Sequence, residues 1–190
     1  MGTGGSVKEW ISTTLQEIWK ENAAVREALR REVQGLSEGQ LAFQPAPGKW
    51  SIGEILDHLH LAERSIARVL SKILQQAAGR GLIGEPGSMD SPPYQIDRGI
   101  YDQPADAPES VRPSPERPLP QLLERLEESR ERLLEVASRA DGRVVGNVTI
   151  RHFQLGELHF YQWLALEAAH ESKHLAQIRQ IRVHPRFPKS

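Results

Sequence analysis

The sequence predicts an all-α fold: a four-helix bundle with one long irregular crossover between its second and third helices. Two observations carry this reading. Four stretches space their apolar residues three and four positions apart, as one face of a helix requires. Nine of the thirteen prolines then fall between Gly79 and Pro120, where no helical pattern survives. Four helices divided by such a link describe a bundle in which a crossover reverses the simple up-down order.

The first helix is expected from Val7 to about Leu36, a proline-free run rich in Glu, Lys, Arg, Leu and Ala that stops at Gly35-Leu36-Ser37. Leu41 to Trp50 holds Pro45 and Pro47 and reads as an irregular connection. Ser51 and Glu54 then form a capping-box signature, with Ser51 as N-cap. The second helix follows to about Ala78 on a stripe of Ile52, Ile55, Leu56, Leu59, Ile66, Leu70 and Ile73. Residues 79–117 make the Pro-rich crossover, and loops of that length commonly lie over a functional surface or mediate contacts. The third helix is read from about Leu119 to Ala140, ended by Asp141-Gly142. Val144 to Phe153 suggests a short extended piece, and the fourth helix is read from Leu155 to about Val183, before Pro185.

With 190 residues the chain suits one domain with a real core. Residues 1–6 read as a flexible leader, 7–183 as the single bundle and 184–190 as a tail. A formal net charge of −1 gives no electrostatic reason to expect nucleic acid. The absence of cysteine removes disulfides, Cys-ligated zinc and a cysteine nucleophile, and suits a reducing compartment. No apolar run approaches a membrane span and no secretory signal is visible. The expectation is a cytoplasmic protein.

The most informative motif is HESKH, from His170 to His174. Two histidines four apart stand on one helix face, a spacing that lets both imidazoles bind one cation. Projected at about 100° per residue, Trp163, Leu166, His170, His174, Gln177 and Ile181 share one inward stripe. Two buried imidazoles on such a stripe need partners, either a shared cation or hydrogen bonds within a core. HESKH also matches H-E-x-x-H, the zinc-protease helix. That match fails downstream. The longer protease pattern wants Gly at 177 and His at 180, where this chain has Gln177 and Gln180, and Leu175 to Ser190 contains no acidic residue. Glu171 remains a candidate base beside a metal; its projection about 100° from His170 equally suits an exposed helix residue.

A third histidine, His58, lies at the edge of the second helix's stripe, with Glu63 nearer the centre and His60 on the opposite edge. Cores of helix bundles are where facing helices assemble metal sites. Here the chain resembles the DinB/YfiT-like metal-binding four-helix bundles. Their second helix opens with Trp-Ser/Thr-x-x-Glu-x-x-x-His-Leu, matched by Trp50, Ser51, Glu54, His58 and Leu59. Their last helix carries His-x-x-x-His-x-x-Gln-Ile, matched by His170, His174, Gln177 and Ile178. The segment Phe153 to Leu158 also looks like the approach to that helix.

The resemblance implies a three-histidine site, His58 with His170 and His174, for a divalent metal ion such as zinc or nickel. It also implies frequent homodimers and, in some members, thiol S-transferase or hydrolase-like activity on a small molecule. Three neutral imidazoles leave an ion its full charge and an open position, the pattern of catalytic sites. Gln177 is the best-placed group to orient a ring from behind, with Glu54, Asp57 and Glu63 as further candidates. The competing expectation is a non-catalytic bundle, in which the metal is structural or the surface binds a partner protein. A fourth ligand from His60, His159 or Glu63 would favour that second reading.

Overall fold

In the computed structural model, residues 9–88, 92–114 and 117–189 are described. The expected leader, residues 1–6, and the expected start of the first helix at Val7 lie outside them. Four long helices form the bundle: α1 (Thr13–Val33), α3 (Ile52–Gly79), α5 (Leu119–Ser138) and α6 (Phe160–Arg182). Two short helices, α2 (Glu38–Ala42) and α4 (Arg98–Tyr101), and a two-stranded hairpin of β1 (Thr149–His152) and β2 (Gly156–His159) complete it. Helix α3 packs on both α5 and α6, while α1 packs on α6.

Local chemistry sets the boundaries. The Ser51 hydroxyl accepts the Glu54 amide at 3.2 Å and the Glu54 carboxylate accepts the Ser51 amide at 2.7 Å, so α3 starts where its capping box requires. Helix α1 begins only at Thr13, because Ser12 caps it and Asp141 ties the Ile11 and Ser12 amides at 3.0 and 2.9 Å. The connection after α1 is not wholly irregular: Ser37 and Gln40 build a second capping box around α2. The fourth long helix starts at Phe160 rather than Leu155. Gly156, at φ 75°, turns the chain into β2, which pairs antiparallel with β1 from Thr149↔His159 to His152↔Gly156. The extended piece expected at Val144 to Phe153 is thus the first arm of a hairpin.

The crossover also carries structure. Asp97 caps α4 through the Ile100 amide, Glu109–Val111 forms a 3₁₀ turn, and Ile83 bridges Val145. Among the described residues no helix is long and apolar enough to cross a membrane.

The core is divided. One apolar cluster gathers Leu15, Ile18, Ile66, Leu70, Leu133 and Leu164; the other gathers Leu29, Leu56, Leu59, Leu126, Leu175 and Ile178. Each fully buried aliphatic side chain contributes about 1.5–3 kcal/mol relative to exposure. Between the clusters every long helix turns polar at the same level: Asn22 and Arg26 on α1, Glu63 on α3, Ser129 and Arg130 on α5, Glu167 and Glu171 on α6, all buried.

Candidate metal centre

This polar level has two halves. On one side lies an ion network. The Arg26 Nε donates to Glu171 at 2.6 Å and its Nη2 to Glu63 at 3.1 Å; Arg130 pairs with both carboxylates at 2.6 Å. The Ser129 hydroxyl donates to Glu63 at 2.5 Å. Glu171 is therefore not an exposed helix residue. With no accessible surface, it is held between two guanidinium groups and is not among the cavity-lining residues described below. Its projection missed this because a bundle helix contacts neighbours over a face wider than one stripe. Glu63 likewise belongs to the network and does not orient a histidine ring.

On the other side, α3 presents His58 and α6 presents His170 and His174. One ligand atom from each lies within 4.8 Å of the others, and among the described residues this is the one group of three or more His, Cys, Asp or Glu with such spacing. The Nε2 atoms of His58 and His170 are 3.1 Å apart. The Nδ1–H of His58 donates to the Val111 carbonyl at 2.7 Å, and the Nδ1–H of His174 donates to Gln177 Oε1 at 3.0 Å. These tautomers follow from the acceptors, which have no proton to give. Both rings therefore keep a free Nε2 lone pair. The indole of Trp50 lies 4.7 Å from the His58 ring and nearly parallel to that of His174.

Burial pushes all three imidazoles below their ordinary pKa, His174 to about 4. For His170 the neighbouring His174 and His58 add to burial. The set is consequently neutral at pH 7, as ligation requires. In the metal-free protein the His170 Nε2–H can donate to the bare His58 Nε2 at 3.1 Å, a bond that a cation shared by the two nitrogens would replace. With metal–nitrogen bonds of about 2.0–2.1 Å, a shared ion fits that separation. The donor set thus suits a divalent cation.

A cavity of about 220 Å³ opens beside the cluster. Its walls include Trp50, Ile66, Trp163 and Leu166, and the crossover adds Ala105 to Pro108 with Ser110 and Val111. Three polar lining residues escape a sequence reading. The His152 Nδ1 accepts the Gln154 and Leu155 amides at 3.2 and 3.3 Å, so Nε2 carries its proton, and burial lowers its pKa to about 4. Lys173 holds α4 against α6 by donating to the Tyr101 and Gln103 carbonyls at 3.0 and 3.2 Å. Buried Tyr101 has its phenol pushed up by that burial and by nearby Glu167. Each reaches the cavity through tertiary placement, on a hairpin, on α6 beside His174, or on the short helix α4.

The remaining candidates are engaged elsewhere. The His60 ring bonds the Arg125 carbonyl at 2.6 Å and the His159 ring the Pro93 carbonyl at 3.0 Å. Glu54 is a helix cap. Asp57 accepts the Ser114 amide at 2.8 Å and pairs with Arg125 at 3.2 Å. Glu167 is the residue that sequence reasoning passed over. It has no accessible surface, and among the described residues neither carboxylate oxygen has a hydrogen-bond partner. Burial, then Glu63, hold its pKa well above the carboxylate range. The projection that gathered the histidines places Glu167 about 40° from Trp163 and about 60° from His170, just past the edge of the stripe.

Comparison with known proteins agrees with this geometry. The family profile of the DinB superfamily matches residues 21–178, which include all four long helices in whole or large part and all three clustered histidines. The chain belongs to the DinB superfamily. Its fold is also similar to that in the crystal structure of TT2238, a four-helix bundle protein: the TM-score is 0.61 with 23% identity, covering 87% of this chain and 98% of that one. No curated protein matches the sequence. For this DinB superfamily member, fold and family are established by these matches, and the histidine cluster is a group able to hold a metal ion.

Proposed function

We propose that this DinB superfamily protein binds one divalent cation, zinc or nickel, through His58, His170 and His174, and uses it on a small molecule in thiol transfer or hydrolysis. The observation that supports this most directly is the convergence of neutral imidazole nitrogens, 3.1 Å apart at His58 and His170, beside a cavity. When bound, the cation supplies Lewis acidity toward a water or thiol. The chain's own residues do the rest. The Val111 carbonyl and Gln177 fix two ring orientations, Trp50 and Trp163 present an apolar wall to the substrate, and His152 offers an N–H donor from the cavity lining.

A structural metal is the second reading, and the engagement of His60, His159 and Glu63 elsewhere argues against it, because none is free to close the site. A cytoplasmic location and a homodimer belong to the same proposal, the latter to be read by light scattering on the eluted protein.

The test is metal content by plasma mass spectrometry on wild type beside His58→Ala and His174→Ala. About one equivalent of zinc or nickel, lost in both variants, supports the site and justifies screening thiol transfer and hydrolysis. Wild-type protein that stays empty after incubation with either metal ends the reading.

A further inference from the structure

Two of the three clustered rings have a fixed Nδ1–H and one does not. His58 donates to Val111 and His174 to Gln177, whereas His170 Nδ1 is buried without a hydrogen-bond partner among the described residues. A ligating histidine almost always gives its other N–H to a carboxylate, carbonyl or water, which fixes the ring and raises its basicity. The third partner is therefore missing from an otherwise regular pattern.

A second orphan lies one turn away. Glu167 is fully buried and both its oxygens lack partners among the described residues. It stands three residues before His170 on α6, and residues so spaced have Cβ atoms about 5–6 Å apart, within reach of one glutamate rotamer change. The neighbouring carboxylates cannot serve, since Arg26, Arg130 and Ser129 already engage Glu63 and Arg26 and Arg130 engage Glu171. Charge points the same way. Two arginines balance Glu63 and Glu171, so an ionised Glu167 would be surplus to the network and available to offset a cation at the histidines. A buried carboxyl with neither oxygen bonded lowers stability, and such groups persist where they serve a site.

We infer that Glu167 is the positioning residue of the third imidazole, its carboxylate accepting the His170 Nδ1–H when a cation is held by the histidines. This rests on the metal-binding reading above and adds a residue outside the histidine cluster. It makes an opposite demand on stability and on affinity. Replacing Glu167 by an apolar side chain of similar length removes an unpartnered buried acid, which favours the metal-free fold, while it deprives His170 of its acceptor.

The experiment compares wild type, Glu167→Met and Glu167→Gln by zinc affinity, measured in competition with a chromophoric chelator, and by melting temperature of the chelator-stripped protein. The expected result for Glu167→Met is an affinity about 10- to 100-fold weaker with a melting temperature unchanged or raised. Glu167→Gln, which keeps an acceptor oxygen, recovers part of the affinity. Glu167→Met with wild-type affinity overturns the inference and leaves the metal site standing. Weaker affinity together with a lower metal-free melting temperature overturns it also, since that is a general packing role. Wild type that binds neither zinc nor nickel overturns the metal reading, and this inference with it.

Discussion

The Nδ1–H of His58 donates to the carbonyl of Val111 at 2.7 Å, across 53 residues of chain. A ring on the central helix is therefore oriented by a backbone group of the Pro-rich crossover. The adjacent residue repeats the arrangement, because Asp57 accepts the Ser114 amide at 2.8 Å. Consecutive side chains of α3 thus hold the crossover at two points three residues apart. Pro108 before both points and Pro113 between them restrict the backbone there. The crossover that lines the cavity also sets the tautomer of one cluster histidine.

Asp57→Ala should consequently act on the crossover before it acts on the bundle. The carboxylate is nearly inaccessible and faces Arg125 at 3.2 Å and Arg117 at 3.7 Å, both partly solvated. Its loss frees Ser114 and leaves two guanidinium groups uncompensated, a cost of about 2–3 kcal/mol, below that of a fully buried pair. Urea unfolding reads the stability, and limited proteolysis by a glutamate-specific protease after exposed Glu109, whose bond to Ser110 involves no proline, reads the release. Unchanged cleavage would show that Asp57 does not hold the segment.

Glu171→Ala should be a folding mutation. Arg26 and Arg130 both lie within hydrogen-bond reach of this carboxylate at 2.6 Å. Removing it strands buried positive charge, and breaking such a pair typically costs about 3–5 kcal/mol. Glu171→Gln retains the shape and loses the charge, so its loss should be smaller. The midpoint of urea unfolding orders the three proteins. A base acting at the cavity would instead lower turnover and leave that midpoint in place.

The sequence made the four long helices legible because each carries its own signal: apolar spacing along α3 and α5, a capping box at Ser51, and a glycine or proline past most ends. His170 and His174 were legible for the same reason, since i and i+4 positions of one helix need no tertiary knowledge. His58 needed a resemblance, because a histidine at the edge of a stripe says nothing by itself. The hairpin was half visible: Thr149 to His152 looked extended, but the turn at Gly156 was absorbed into a helix that Leu155 and Leu158 also suit. Glu171 was misplaced because a carboxylate's surroundings depend on arginines from two other helices, far away in sequence. The Val111 carbonyl could not be read at all. A backbone acceptor in an irregular segment has no residue type to announce it.

His60→Ala separates the two readings of the metal. His60 sits two residues from His58, yet its ring bonds the Arg125 carbonyl at 2.6 Å and not the cluster. Loss of that bond and the ring's packing should lower stability by about 1–3 kcal/mol. Zinc stoichiometry and affinity should match wild type when measured at a temperature where both proteins are folded. A metal lost on this substitution would bring His60 into the site and restore the structural-metal reading.

Acid should destabilise the metal-free protein in a window set by its buried imidazoles. For His152 burial lowers the folded pKa to about 4, against an ordinary value near 6.5. Between those values the unfolded chain binds a proton at this residue and the folded chain does not. The contribution of this residue therefore falls as pH drops from 6.5 toward 4 and is flat above it, while Glu167, raised by burial, acts in the opposite sense. His58, His60, His159, His170 and His174 are shifted the same way, chiefly by burial, so their contributions add in sign. His152→Gln keeps a polar side chain of similar reach without a titrating nitrogen, and its melting temperature should decline less steeply over that range. Differential scanning calorimetry of both proteins at pH 7, 6, 5 and 4.5 supplies the comparison. Parallel curves would mean that His152 takes up its proton in the folded state as readily as in the unfolded chain, and that the wall of the cavity at this point is open to water.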